Sequence, residues 1–255
     1  MHLADRFDRF DPRAATWFLR VFGLALMVDV GTELMAGVWH VHTGRFYPWR
    51  HMGIVPLYPA SVLAVEWALR AGAGLALFVA ARNEGVVATA VRVAALASFA
   101  AVLERYSNHG ALLFLIAFFL TIAPPHVTAK SYGDRSHPSL GLVRAQLVIV
   151  YAFSALNKLT HGFANGHSLT NLLGERIALD PTSARALSWL VIATELAMPF
   201  VLVRWPRAGV ALVVAMHVGF SLLVPGVASF GLAMIAMALL FARPAKGADC
   251  RAVAP

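Results

Sequence analysis

The sequence predicts an all-α protein, a polytopic integral membrane bundle of about eight transmembrane helices. Its 255 residues are 59% hydrophobic and only 13% charged, and its mean hydropathy is +0.70. Soluble domains contain about 45–50% apolar and about 25% charged residues. Eight apolar stretches also approach the roughly 20 residues that a membrane-spanning helix needs. This composition excludes a soluble enzyme, a disordered chain and a fibrous repeat.

The eight predicted spans are identified by their apolar length and by the polar residues that bound them. The first follows a polar run with three arginines, lacks a small-residue cleavage site and contains Asp29 and Glu33, so we interpret it as a span rather than a signal peptide. The fourth begins after the polar segment 105–109 and ends at Pro124-Pro125. Charges inside several stretches leave a count of seven open. The stretches are 16–36, 57–81, 86–103, 109–123, 140–159, 186–203, 208–224 and 227–242.

Charge predicts the orientation of the chain. There are 21 basic and 13 acidic residues, and the basic excess in a membrane protein belongs mainly in cytoplasmic loops. With the N-terminus inside, most loop arginines and lysines are cytoplasmic, so we expect an integral cell (inner) membrane protein with both termini cytoplasmic. No nucleic-acid partner is expected. No linker or internal repeat is evident, so residues 1–255 form one predicted domain, with a cytoplasmic segment 1–15 and a cytoplasmic tail 243–255.

Ionisable residues at membrane depth are the candidate functional residues, because each costs roughly 2.5–3.5 kcal/mol to insert. Most of them fall in the outer half of the predicted bundle. Asp29 and Glu33 share a helix face at i,i+4 spacing, and Glu66 and Arg70 have the same spacing, which favours a salt bridge. The other candidates are Arg105, His109, Tyr151, Lys158, Glu195 and His217.

Lys158 has two interpretations. At the end of a span it could snorkel to the headgroups, or it could be a partly desolvated amine that acts as a general base. Asn108 and His109 likewise either start a helix or form an oxyanion site. His40, His42 and His51 match no strong zinc pattern, and the single cysteine, Cys250, cannot help, so no metal is expected.

Three segments resemble the vitamin K-dependent γ-carboxylase and the HTTM domain that this enzyme shares with many bacterial membrane proteins. The first runs from Arg144 to Tyr151 and on to Asn157-Lys158-Leu159 and Gly166-His167-Ser168-Leu169. The second is Ser107-Asn108-His109, which is similar to the family's Asn-His motif, and the third is Met216-His217 with Phe220 and Ser221. Their order and separation fit across nearly the whole chain.

The resemblance implies an enzyme and a role for each candidate residue. Lys158 would deprotonate a reduced vitamin K-type naphthoquinone (menaquinol or phylloquinol), with O2 and CO2 as co-substrates. Epoxidation of the quinone would drive proton removal from a glutamyl-type acceptor and its carboxylation. Asn108 and His109 would stabilise the oxyanion, and His217 would line the pocket. The remaining candidate pocket residues are Arg105, Tyr151, Glu66, Glu33, Asp29 and Glu195.

The expected partners are membrane lipids, the quinone and a peptide or protein acceptor on the outer side, with the oligomeric state left open. Animal carboxylases also have a large lumenal part, which recruits the acceptor. They have paired lysines where this chain has Asn157-Lys158. The alternative hypothesis is therefore a non-enzymatic membrane partner or scaffold that binds quinone, lipid or another protein.

Overall fold

The computed structural model describes residues 11–37, 59–104, 107–123, 137–173, 177–224 and 226–242. Outside these ranges lie the N-terminal residues 1–10, Arg105, the tail 243–255 and the three histidines considered as metal ligands, His40, His42 and His51. Within them, the regular elements are nine α-helices and one 3-10 turn. These are α1 (Pro12–Met35), α2 (Ala60–Val79), α3 (Glu84–Glu104), α4 (Asn108–Ile122), α5 (Pro138–Thr160), the turn Phe163–Asn165, α6 (His167–Leu173), α7 (Pro181–Arg204), α8 (Pro206–Leu223) and α9 (Ala228–Leu239).

In the described part of the chain, six helices are long and apolar enough to cross a membrane, namely α1, α2, α3, α5, α7 and α8. The bundle is therefore consistent with a multi-pass membrane protein. All eight predicted apolar stretches are helices, with ends within five residues of the prediction. However, α4 and α9 have only 15 and 12 residues, so they are about 22 and 18 Å long, against a hydrocarbon layer of about 30 Å. By length and composition, six of the eight predicted spans are therefore supported, and α4 and α9 are shorter apolar helices.

Local polar residues determine where several helices begin. The Asp11 side chain accepts a hydrogen bond from the Arg13 amide at the start of α1, and Ser107 accepts one from the Gly110 amide at the start of α4. Asp180 caps α7, because its side chain accepts hydrogen bonds from the backbone amides of Thr182 and Ser183. Interactions with Ser183, above all with its side chain, lower the pKa of Asp180. Such caps satisfy amides that have no partner inside the helix.

Helix α1 packs in the interior, against α2 and α9. Its side chains Phe18, Phe22 and Leu26 are fully buried in the main core. Close approach between α1 and α2 depends on two glycines, because a Cβ at Gly74 would lie 2.6 Å from the Gly23 carbonyl oxygen. The short distance between these two backbones brings the charged residues of α1 and α2 into contact.

The connection between α5 and α7 contains regular structure that the eight predicted spans did not include. It contains the turn Phe163–Asn165 and the seven-residue helix α6. Gly162 and Gly166 flank the turn with φ of 76° and 90°, a backbone region that favours glycine. Leu169 and Leu173 of α6 pack with Val224 in a separate apolar cluster. The turn contacts the end of α5, where its Phe163 ring lies beside Lys158.

Arg144 holds α5 against the end of α9. Its guanidinium is buried and donates hydrogen bonds from Nε and Nη2 to the Leu240 carbonyl. It also lies 5.3 Å from the centre of the Phe241 ring. A cation at a helix C-terminus is favourable, because the last carbonyls lack partners inside the helix. We therefore interpret Arg144 as a structural residue.

Candidate active site

The candidate residues fall into two charged clusters in the bundle. The Lys158 cluster joins α5, α7 and α8, and the Arg70 cluster joins α1, α2 and α4. Helix α9 borders both clusters, since it packs against α1 and its Phe230 ring packs edge-on against His217 with 5.6 Å between ring centres. The candidate charges are thus arranged in two neighbouring groups.

Lys158 is the centre of the first cluster. Its Nζ lies 2.8 and 2.7 Å from the two carboxylate oxygens of Glu195 and donates to Ser154 Oγ at 2.6 Å. The side chains of Lys158 and Glu195 are 21% and 8% exposed, so the pair is largely shielded by protein. Phe163 places its ring centre 5.6 Å from the same Nζ. Lys158 therefore turns into the bundle to an ion pair instead of extending toward the headgroups.

A second polar pair continues this cluster into the bundle. Tyr151 lies on the same face of α5 as Lys158, and its hydroxyl is 2.9 Å from His217 Nε2 of α8. Both side chains are buried. Glu195 interacts electrostatically with Tyr151, and Lys158 does so with His217. The predicted site residues Lys158, Glu195, Tyr151 and His217 are thus brought together by three helices.

The use of lysine in this chain is selective. The sequence has 18 arginines and only 3 lysines, and Lys158 is the one lysine among the described residues. Arginine suits permanent ion pairs because it does not deprotonate in proteins, whereas a lysine amine can lose its proton. A lysine at this position, in a chain that otherwise favours arginine, is consistent with a need for a titratable amine.

The second cluster is built around Arg70, which is 1% exposed. Its Nη1 is 2.6 Å from Asp29 Oδ2, its Nη2 is 2.8 Å from Glu33 Oε2, and its Nε is 3.0 Å from Glu66 Oε1. Trp67 adds an indole N–H that donates to Glu33 at 2.6 Å. The predicted i,i+4 salt bridge between Glu66 and Arg70 is confirmed, and the shared face of Asp29 and Glu33 is confirmed by their common partner.

The predicted oxyanion residues lie beside the Arg70 cluster. Asn108 and His109 form the first turn of α4, and His109 Nε2 is 3.7 Å from Asp29 Oδ1. Among the described residues, no hydrogen bond or ion pair joins Asn108 or His109 to Lys158. The sequence did not point to Ser154, Phe163 or Trp67 as site members. For Ser154 a signal existed, since it lies one helical turn before Lys158.

The described residues contain no group of three His, Cys, Asp or Glu side chains placed to hold a metal ion. A shallow apolar groove lies elsewhere, between α2 and α3, and contains none of the candidate residues. It is lined mainly by small side chains, including Ala68, Gly72, Ala76, Gly85 and Ala90. The candidate residues therefore line neither this groove nor a metal site in the described part of the chain.

No family model, no curated protein and no solved structure matches this chain. The fold and the two clusters define its class, an all-helical bundle with membrane-length apolar helices and buried charges.

Proposed function

We propose that this chain is a membrane enzyme of the vitamin K-dependent carboxylase-like class, in which Lys158 is the base toward a reduced naphthoquinone. The observation that carries the proposal is the position of the Lys158 amine, against Glu195 and Ser154 and beside the buried Tyr151–His217 pair. Charges inside membrane bundles are costly and usually mark function. The resemblance of the segments around Lys158, His109 and His217 gives the reaction class.

Lys158 needs a neutral amine to act as a base, and its partner Glu195 offers a way to obtain one. The Glu195 carboxylate touches Nζ with both oxygens, so a proton can pass from the ammonium to the carboxylate without leaving the pair. The amine could then accept the proton of a bound hydroxyl. Ser154, within hydrogen-bond distance of Nζ, would keep the amine oriented during this exchange.

The donor set fits a flat quinol. Lys158 and Ser154 provide polar atoms for a ring hydroxyl, and Phe163 provides an aromatic surface beside Nζ. Exposed apolar side chains on α5 and α7, such as Phe153, Leu156 and Leu196, are suited to contact with lipid. When bound, the reduced naphthoquinone would supply the oxygen-dependent epoxidation that drives proton removal from a glutamyl-type acceptor and its carboxylation by CO2.

Further parts of the proposal come from sequence. Asn108 and His109 would stabilise an oxyanion, which requires the bound ligand to bridge from Lys158 toward the start of α4. The proposed topology has eight spans in the cell (inner) membrane, with α4 and α9 as short spans and both termini in the cytoplasm. The acceptor would approach from the outer side, where Lys158 and His109 would lie.

The test is formation of quinone epoxide by the purified chain in lipid, given naphthoquinol and oxygen. We expect epoxide from the wild type and from Lys246→Ala, the matched lysine control, but none from Lys158→Ala. Lys158→Arg should also fail, because arginine keeps its proton. Equal turnover by wild type and a folded Lys158→Ala would contradict the proposed role of the lysine.

A non-enzymatic scaffold is the second candidate, and one observation favours it. Both clusters tie neighbouring helices together, Arg70 joining α1 to α2 and Lys158 joining α5 to α7, as purely structural ion pairs would. A scaffold would copurify with a stoichiometric partner and would give no epoxide. In that case the wild type would have no turnover, and the expected effect of Lys158→Ala would be a loss of stability.

A further inference from the structure

Asp29 and His109 form a contact between a buried carboxylate and a partly exposed ring. The side chain of Asp29 is 1% exposed and that of His109 is 34% exposed, and His109 Nε2 lies 3.7 Å from Asp29 Oδ1. The other carboxylate oxygen, Oδ2, lies 2.6 Å from Arg70 Nη1. The two oxygens of Asp29 therefore have different neighbours, a permanent cation on one side and an imidazole on the other.

Both members of this pair are held in place by the elements around them. Arg70 fixes Asp29 from the neighbouring helix α2. Ser107 fixes the start of α4, because its Oγ accepts a hydrogen bond from the Gly110 amide at 3.0 Å, and a Cβ at Gly110 would lie only 2.8 Å from that oxygen. His109 lies between these two residues, so rotation of its ring can shorten the 3.7 Å contact without moving a helix.

Asp29 Oδ1 has capacity for a further hydrogen bond. It is inaccessible to solvent and accepts no hydrogen bond of full geometry in the described part of the chain. An N–H at His109 Nε2 would satisfy this oxygen, whereas a bare Nε2 would place two lone pairs opposite each other. Catalytic hydrogen bonds are often long in the absence of a ligand and tighten when the site is occupied.

A carboxylate beside Nε2 determines which nitrogen of His109 can accept a proton. A neutral imidazole carries one proton, and the hydrogen bond that one nitrogen makes decides which of the two nitrogens holds it. Asp29 therefore favours the proton on Nε2 and leaves Nδ1 as an acceptor. A buried carboxylate in this position also stabilises the imidazolium that forms when the other nitrogen takes up a proton. Within the described ranges, Nδ1 makes no hydrogen bond, so it can receive one from a ligand.

We propose that Asp29 is a positioning residue that holds the proton of His109 on Nε2, so that Nδ1 accepts a proton from a hydroxyl group of the ligand. In this step the O–H bond of the ligand breaks and an Nδ1–H bond forms, without any change in oxidation state. The oxyanion that results lies beside an imidazolium, whose other N–H donates to Asp29. His109 therefore stabilises the oxyanion as a cation, after it has taken up the proton.

The identity of the ligand rests on the proposed function, whereas the position of the proton on His109 does not. A quinol has two hydroxyl groups on opposite sides of its ring. The proposed function assigns one of them to Lys158. We assign the other to His109 Nδ1, since the bound ligand is proposed to reach from Lys158 to the start of α4.

The first test is 15N NMR of the full chain in lipid with 15N-labelled histidine, which reports the protonation of each ring nitrogen. His109 is one of ten histidines, and its signals are those that disappear in His109→Gln. At about pH 8.5, where ordinary imidazoles are neutral, we expect a proton on Nε2 and a bare Nδ1. Asp29→Ala should give a mixture of both tautomers. Asp180→Ala, which removes a carboxylate at the start of α7, should keep the wild-type signals.

Two results of this test would overturn the proposal. One is a proton on Nδ1 of His109 in the wild type, which needs no variant and so does not depend on the folding of Asp29→Ala. The other is a single Nε2–H tautomer that persists in folded Asp29→Ala, because the carboxylate would then have no part in selecting it.

The second test adds 1,4-naphthoquinol to the labelled wild type under argon. Without oxygen no epoxide can form, so the spectrum reports binding and proton transfer alone. We expect the Nδ1 signal of His109 to move toward that of a protonated nitrogen. An unchanged Nδ1 signal would overturn the assignment of the second hydroxyl to His109, even if the wild type forms epoxide in air. A shifted Nδ1 signal without epoxide in air would instead retain this assignment and contradict the proposed function.

Discussion

The ion pair between Lys158 and Glu195 should contribute measurably to the stability of the bundle, and a double-mutant cycle isolates that contribution. Exposed ion pairs are worth about 0–1 kcal/mol, and removing one partner of a fully buried pair costs about 3–5 kcal/mol. Glu195 is 8% exposed, Lys158 is 21% exposed, and both carboxylate oxygens contact Nζ. We therefore expect Lys158→Met to lower the free energy of unfolding by about 2–3 kcal/mol, between these limits.

The assay is denaturant unfolding of the purified protein in micelles, with Lys158→Met, Glu195→Gln and the double variant. The free energy of unfolding of the double variant should exceed the value that the sum of the single losses predicts by about 1–2 kcal/mol. The reason is that neither side chain then remains without its partner. Ser154→Ala is the control, with a loss of about 1 kcal/mol from one hydrogen bond. Additive losses within about 0.5 kcal/mol would refute the claim that the pair is energetically coupled.

Three further predictions concern the fold around the site. Gly74→Val should separate α1 from α2, because a Cβ there meets the Gly23 carbonyl, and should destabilise by about 1–3 kcal/mol in the same unfolding assay; retained stability would contradict the close contact. Arg144→Ala should cost about 1–3 kcal/mol by leaving the Leu240 carbonyl without its buried partner, and a change below about 0.5 kcal/mol would argue against that role. Because the pKa of Asp180 is lower in the folded state than its ordinary value of 3.8, Asp180 stabilises the fold at pH values above 3.8. This stabilisation is lost as the pH falls through the pKa of the folded state, so Asp180→Ala should weaken the acid dependence of stability.

The positions of the helices were predictable from sequence because the relevant signals are local. Apolar length, Pro12, Pro138 and Pro206 at helix starts, and the cap at Asp180 act within a few residues. Local spacing also predicted the salt bridge between Glu66 and Arg70. Helix α6 was missed because seven residues provide less than two full turns of periodicity.

The partners of the site residues were not predictable in the same way. Lys158 and Glu195 are 37 residues apart in sequence, and Asp29 and Arg70 are 41 apart. Whether such residues meet depends on the rotation of each helix about its axis and on which helices are neighbours. These are tertiary properties, so the sequence identified Lys158 and Glu195 as separate candidates, and only the structure shows that they form an ion pair.

The most direct test of the central proposal is chemical rescue of Lys158→Ala by a small primary amine. If Lys158 is the base, quinol-dependent epoxide formation should be absent in this variant and return with added amine, with a rate that rises with the concentration of the neutral amine. Lys158→Arg, which fills the site with a group that stays protonated, should not be rescued. Epoxide formation by Lys158→Ala at the wild-type rate without added amine would contradict the proposal.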